Sequence, residues 1–166
     1  MESVQVFINE FKNQLEKGSL QKAYRGLMNY ILTLKSQLDK KYPDYYVSGS
    51  LYQGLMDASY FSFTPESIKR RNLKIVIVFN FDPFQFEVWL CGVNKQVQAK
   101  YWKVFKNNNW NSYPLVPTTK GVVSIIEHTL VAHPDFDDPD GLTRQIEQGV
   151  IQFITDVDLF LSRLEN

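Results

Sequence analysis

Near the start of the chain, apolar positions recur at the spacing of one face of an α-helix. Val4, Phe7, Ile8, Phe11 and Leu15 form one stripe, and Gly18 follows as a stop. Ser19 caps a second stripe of Leu20, Ala23, Tyr24, Leu27, Met28, Ile31 and Leu38. It ends at Tyr42-Pro43, because the residue before a proline is driven out of the helical region. These stripes predict a helical hairpin. From Tyr45 the period changes to two and β-formers dominate, predicting one strand or a bent pair over 45–64. The clearest strands are LKIVIVFNF at 73–81 and FEVWLCG at 86–92, with Asp82-Pro83-Phe84-Gln85 as the hairpin between them.

Residues 95–107 return to helical spacing, with Val97, Tyr101, Val104 and Phe105 inward and Lys95, Lys103 and Lys106 outward. The segment 110–120, WNSYPLVPTTK, carries two prolines and reads as a loop with room for a short edge strand. Val122, Val123, Ile125 and Ile126 suit a strand, but Ser124-Ile125-Ile126-Glu127 has the S-x-x-E spacing of a capping box, which predicts a helix over 121–132. Asp138 and Pro139 then open the last helix, whose stripe runs through Leu142, Ile146, Val150, Phe153, Val157, Phe160 and Leu164. The order of elements predicts a single α+β domain over 1–166. Its parts are an N-terminal helical hairpin, a mostly antiparallel sheet of three to five strands, and C-terminal helices packed on the sheet. So long a last stripe can also pair with a second copy, and a homodimer through it requires a continuous apolar stripe left exposed.

Composition narrows the class. Apolar residues make up 44% of the chain and aromatic residues 14%, ample surface to bury against the entropy of ordering. No run is long enough to span a bilayer, and MESVQVFINEFKNQ carries acids where a signal peptide is basic, which points to the cytoplasm. A single cysteine, Cys91, fits a reducing compartment. The net charge of zero conceals an asymmetry: residues 69–106 hold eight Lys/Arg against two acids, and residues 121–166 hold nine acids against two Arg. A neutral total weighs against nucleic acid as the partner, because that affinity comes largely from displacing counterions.

The candidate chemistry centres on Glu87, a carboxylate inside an apolar run. If the hairpin turns on Pro83 and Phe84, Phe81 pairs with Phe86, Asn80 with Glu87, Val78 with Trp89 and Val76 with Cys91. Alternation then sets Phe79, Phe81, Phe86, Val88 and Leu90 on a core face and Asn80, Glu87, Val78, Trp89 and Cys91 on a mixed one. Asp57 sits in a similar position near Tyr52 and Tyr60. On ordinary grounds a strand Glu opposite an Asn is a solvated outer-face residue, and an Asp in a strand is a turn or bulge residue. The alternative is a pocket for a small polar or cationic ligand, or a protein partner, lined by Asp57, Glu87, Trp89, Tyr52, Tyr60 and Asn80.

Three other patterns offer chemistry. Asp82 and Glu87 loosely follow the carboxylate pair of a Mg²⁺-dependent nuclease, but tryptophan stands where the E-x-K lysine belongs, leaving Lys74 or Lys95 to supply it. HPDFDDPDG at 133–141 resembles a calcium loop but has Phe136 at the first ligand position, and acids at a helix start explain it without a metal. Lys69-Arg70-Arg71, Lys95, Lys100, Lys103 and Lys106, interleaved with Tyr101, Trp102 and Trp110, could clamp a single strand of nucleic acid, hold an anionic ligand or lie on a solvated face. His128 and His133 read as ordinary polar residues. No metal-ligand set and no cofactor is implied.

The stretches YYVSGSLYQGLMDASYFSFTPESIKRRNLKIVIVF, FEVWLCGVNKQVQAKYW and TTKGVVSIIEH with HPDF resemble a family of small bacterial proteins, the domain of unknown function numbered seven thousand. The resemblance runs from the first helix to the last. It implies a bacterial cytosolic setting and carries no activity with it.

Overall fold

The structure, a computed structural model, describes residues 3–166. Residues up to 37 and residues 38–166 form two compact units. In the first, α1 (Val4–Glu16) meets α2 (Ser19–Lys41) at Gly18, and the last turn of α2 belongs to the second unit. The stripe of α1 forms as its spacing predicts but is not buried: Phe7, Ile8 and Phe11 are each more than half exposed.

The second unit holds an antiparallel sheet of six strands. Its elements are β1 (Tyr46–Val47), β2 (Tyr52–Gln53), β3 (Ala58–Thr64), α3 (Glu66–Lys69), β4 (Leu73–Asn80), β5 (Gln85–Gly92), α4 (Lys95–Asn107), β6 (Ser124–Val131) and α5 (Pro139–Glu165). The strand order is β1-β3-β4-β5-β6, and β2 also pairs with β3. Phe61, Phe63, Ile75, Ile77, Phe79, Phe86, Val88 and Leu90 are buried on one face. Burial of each such side chain contributes roughly 1.5–3 kcal/mol. Helix α5 packs on this face, so close to β6 that a Cβ on Gly149 would lie 2.7 Å from Leu130. Of its predicted stripe, Leu142, Ile146, Val150, Phe153 and Val157 are buried, and Leu164 at the end is exposed.

Three expectations are corrected. Residues 121–132 are not a helix; Ser124–Val131 is the edge strand β6. The S-x-x-E pair is nonetheless bonded, Ser124 Oγ to Glu127 Oε1 at 2.6 Å. A bulge opposite Leu90/Cys91 inserts an extra residue, so Ser124 and Glu127 share a face as neighbours of Cys91 and Trp89. The capping signal had a strand solution, which the β-branched residues suit and pairing with β5 selects. The β4–β5 register also differs by two residues: Val78 pairs with Glu87, Val76 with Trp89, Lys74 with Cys91 and Phe79 with Phe86. The turn is Phe81–Phe84, held open by Phe84 at φ +55°, instead of Asp82–Gln85. A shift of two preserves every side chain's face, so the predicted two-faced pattern survives the wrong register. Finally, 45–64 is three short strands separated by irregular segments.

Two contacts tie the ends of α5 down. Tyr42 Oη donates to Glu147 Oε1 at 2.7 Å, and Lys41 is ion-paired to the same oxygen. Burial alone would raise the Glu147 carboxyl, but the bonds from Lys41 and Tyr42 outweigh it and hold the group below its usual range. At the other end, the buried Arg71 guanidinium donates from Nε and Nη2 to both oxygens of Glu165, at 2.8 and 2.9 Å. It also reaches Asp158 at 2.7 Å, the Ser67 carbonyl and Ser162. The predicted basic cluster at 69–71 thus divides, Arg71 pointing into the fold.

Replacing Arg71 with Met removes this fork, and we expect a loss of about 2–3 kcal/mol. Arg71→Lys recovers only part of it, since an ammonium cannot bridge two carboxylates in one plane. Urea midpoints for both variants measure the difference, and an unchanged midpoint for the Met variant would show the clamp idle. For Glu147 the sign follows from a depressed folded-state pKa. The stabilisation is complete above the unfolded value near ~4.5 and disappears as pH falls through the folded value. Glu147→Gln should therefore lower the melting temperature at pH 7 and make stability less steep in pH below ~4.5; parallel acid limbs for the two proteins would contradict this.

Candidate functional site

The second face of the sheet carries what chemistry the fold exposes. Alternation places Tyr60, Ser62 and Thr64 there from β3, Lys74, Val76, Val78 and Asn80 from β4, and Gln85, Glu87, Trp89 and Cys91 from β5. In its middle, Val76, Val78 and Cys91 are buried beneath Ala58, Tyr60 and Trp89. The central strand is therefore covered on this side by aromatic side chains lying along the sheet. Trp89 covers at a cost, because its indole N–H is buried without a hydrogen-bond partner. Burial pushes the Cys91 thiol up to about 12, which keeps it protonated and a poor nucleophile.

Glu87 is 7% exposed, neither the solvated residue of the ordinary reading nor open to a ligand. Asn80 Nδ2 donates to its Oε2 at 3.0 Å and Gln85 Nε2 to its Oε1 at 3.1 Å. Gln85 also donates to Thr129 Oγ1 at 3.1 Å. The carboxylate organises a patch of amides across β4, β5 and β6. Asp57 is exposed, in the loop before β3. The backbone N–H groups of Ala58, Asp57 and Leu55 hold its carboxyl below the usual range. A Cβ on Gly54 would lie 2.0 Å from Asp57 Oδ1 and 2.7 Å from the Ala58 carbonyl, so only glycine lets this loop close. Asp57 is a loop-forming residue.

A cleft of about 550 Å³ opens on the same face, toward the β1–β3 side. Its floor is Tyr60, Ser62, Thr64 and Val76; one wall is the segment 46–53, and Lys69, Lys74 and Val93 close the other. The chain leaves β3 between β1 and β2, through Ser48-Gly49-Ser50-Leu51, and that departure makes the wall. Ser48 ties the base of the wall down, its Oγ accepting from the Ser62 N–H at 3.0 Å. Tyr52 stacks on Tyr60 with centroids 4.5 Å apart and planes 27° apart, and Lys69 Nζ lies 4.9 Å above the Tyr46 ring. Among the described residues, neither Lys69 nor Lys74 has a carboxylate within ion-pair distance, and the cleft is cationic. Burial, and then the neighbouring Tyr52 and Cys91, raise the Tyr60 hydroxyl, so it stays a neutral donor.

Of the six residues expected to form a site, Tyr52 and Tyr60 line this cleft. Asn80 and Glu87 bond each other elsewhere on the face, Trp89 covers the apolar patch, and Asp57 closes its loop. Glu87 shares a cross-strand row with Tyr60, but Val78 stands between them, two strands apart or roughly 10 Å. Tyr52 and Tyr60 share the cleft with Lys69 and Lys74, whereas Trp89, Asn80, Asp57 and Glu87 are not among its lining residues.

A family model for Domain of unknown function (DUF7000) matches residues 4–161. The chain belongs to this family. No curated protein and no solved structure matches it. No helix among the described residues is long and apolar enough to cross a membrane.

Other motifs of this DUF7000 chain find internal roles. No three His, Cys, Asp or Glu side chains come together as a metal site among the described residues. Asp82 is exposed in the β4–β5 turn, while Glu87 is held by its two amides. Asp138 caps α5, accepting from the Gly141 N–H at 3.0 Å. Lys95 bonds the carbonyls of Thr119 and Val122, and Trp102 and Trp110 donate to the carbonyls of Val116 and Tyr113. These residues hold down the 108–123 loop instead of lining a shared cationic groove.

Sequence reasoning named Lys69 in the basic stretch and Lys74 only as a stand-in for a nuclease lysine, did not bring the two together, and missed Tyr46 and Ser48. Lys74, Val76 and Val78 alternate on one face and were legible as a mixed strand. Tyr46 and Ser48 were hidden by reading 45–64 as continuous. The loop assignment of Asp57 gives a test. Gly54→Ala should cost about 1–3 kcal/mol through the forced displacement of the carboxylate. Asp57→Ala introduced into that variant should then add much less than it does alone. A double-mutant cycle measures the coupling, and strict additivity would show that the two residues do not share the loop.

Proposed function

We propose that the chain is a non-catalytic binding module whose cleft takes a small anionic ligand. The observation that carries this reading is the pair of lysines, Lys69 and Lys74, without carboxylate partners among the described residues, in a tyrosine- and hydroxyl-lined cleft of about 550 Å³. That volume is within the range of small-molecule sites, and a cation without a protein counter-ion at an aromatic-walled concavity is a ready partner for an anion. The ligand is thus of opposite charge to the one that the carboxylates Asp57 and Glu87 suggest, because both are engaged within the protein. The proposed setting is the bacterial cytosol, supported by the buried free thiol of Cys91 and by the family resemblance.

Thermal denaturation of wild type, Lys74→Gln, Lys69→Gln and Glu87→Gln with inorganic pyrophosphate and a panel of carboxylates and phosphates tests this. A ligand at about 100 times its Kd stabilises by about 2.7 kcal/mol, or roughly 5–10 °C for a chain of this size. The shift should appear in wild type, persist in Glu87→Gln and fall by half or more in each lysine variant. Glu87→Gln itself should cost no more than about 1 kcal/mol, since the flanking amides can turn their carbonyls toward the new NH₂ group. A shift that vanishes in Glu87→Gln but survives both lysine changes would move the site to the carboxylate, and no shift with any anion would remove the cleft reading.

A further inference from the structure

The cleft is chemically uneven along its length, and this bears on the shape of its ligand. At one end, Tyr52 lies against Tyr60 with one ring face, while the side chain remains 52% exposed. With one face taken by Tyr60, that exposure is what a further planar group would use. At the other end are Thr64, Lys69 and Lys74. The two ends are connected by β3, where Tyr60 and Thr64 are four residues apart, about 13 Å between their Cα atoms. The flexible stem of Lys74 shortens the distance a ligand must cover to about 7–10 Å. A lone phosphate or sulfate reaches the lysines and leaves the ring unused; a free heterocycle does the reverse. Touching both takes a planar ring, a spacer of several bonds and a terminal anion.

We propose that the ligand is a nucleotide, its base stacked on the outer face of Tyr52 and its phosphates between Lys74 and Lys69, with the Ser50 hydroxyl on the wall beside the sugar. This rests on the anion-binding reading of the cleft and adds the aromatic half of the ligand to it. Stacking on an aromatic side chain tolerates any base, so the platform selects for a flat ring and not for one nucleobase. A small nucleotide fits better than an oligonucleotide. The net charge is zero, and among the described residues the lysine–aromatic pairs Lys100 with Tyr101 and Lys106 with Trp102 are on α4, outside the cleft lining.

Calorimetric titration of wild type, Tyr52→Leu and Lys74→Gln with ADP, adenosine and inorganic pyrophosphate separates the parts, with circular dichroism confirming that each variant is folded. Tyr52→Leu keeps apolar cover over Tyr60 while removing the platform. In wild type, ADP should bind at least tenfold more tightly than pyrophosphate. In Tyr52→Leu that advantage should collapse while pyrophosphate binding is unchanged, and Lys74→Gln should weaken ADP and pyrophosphate together. Pyrophosphate binding as tightly as ADP, with Tyr52→Leu neutral toward both, would overturn the nucleotide and leave the anion cleft standing. Failure of all three probes and of the wider anion panel would overturn both. A single-stranded oligonucleotide binding far more tightly than ADP would replace the free nucleotide with a polymer.

Discussion

The fold depends on a central strand with no solvent side. In β4, Ile75, Val76, Ile77, Val78 and Phe79 are buried in succession, so both faces of the sheet must be covered at its middle. One face has α5 for this purpose, with Val150, Phe153 and Val157 buried along it. The other covers itself: Tyr60 and Trp89 lie over Val76, Val78 and Cys91, and Tyr52 extends the cover by stacking on Tyr60. Large aromatics suit this because they conceal much apolar area with little loss of side-chain freedom. The buried, unpartnered indole N–H of Trp89 is the cost of that solution.

Self-covering explains how a candidate site arises here. A face screened by side chains lying along a sheet is uneven where a helix would make it uniform, and its unevenness collects at the margins. Toward β5 and β6 the margin is a closed polar network, with Glu87 holding Asn80 and Gln85 and Gln85 holding Thr129. Toward β1 and β3 it is an open cleft, because the chain departs from β3 between Val47 and Tyr52 and leaves Lys69 and Lys74 facing the gap. The same face thus carries an acid whose bonding is internal and bases whose bonding is incomplete. The second condition is the one that invites a ligand.

Membership of the DUF7000 family and the α+β architecture were both legible before any coordinates, the first from quoted segments and the second from periodicity. The helices at 4–16, 19–41, 95–107 and 139–165 followed from apolar spacing and from stop and cap residues, which act within one or two turns. The strand at 124–131 did not. Its S-x-x-E spacing serves a capping box and a bulged strand equally well, and the choice was made by pairing with β5. The β4–β5 register failed for a related reason: a four-residue turn fits at 81–84 as well as at 82–85, and the structure takes the earlier placement, with Phe84 in a left-handed conformation.

What the sequence determined alone was therefore everything with a local cause: helix positions, the two-faced character of β4 and β5, and the placing of tyrosines on the mixed face. What only the tertiary structure decided was which charges remain available. Asp57, Glu87, Arg71 and Lys95 look as free in sequence as Lys69 and Lys74. The first is taken by its own loop, Glu87 by Asn80 across the hairpin and Gln85 on its own strand, and the others by partners distant in sequence: Arg71 by Glu165 and Asp158, Lys95 by the carbonyls of Thr119 and Val122. Whether a charged group is satisfied depends on what reaches within about 3 Å of it, and that is a property of folded neighbours and not of spacing along the chain.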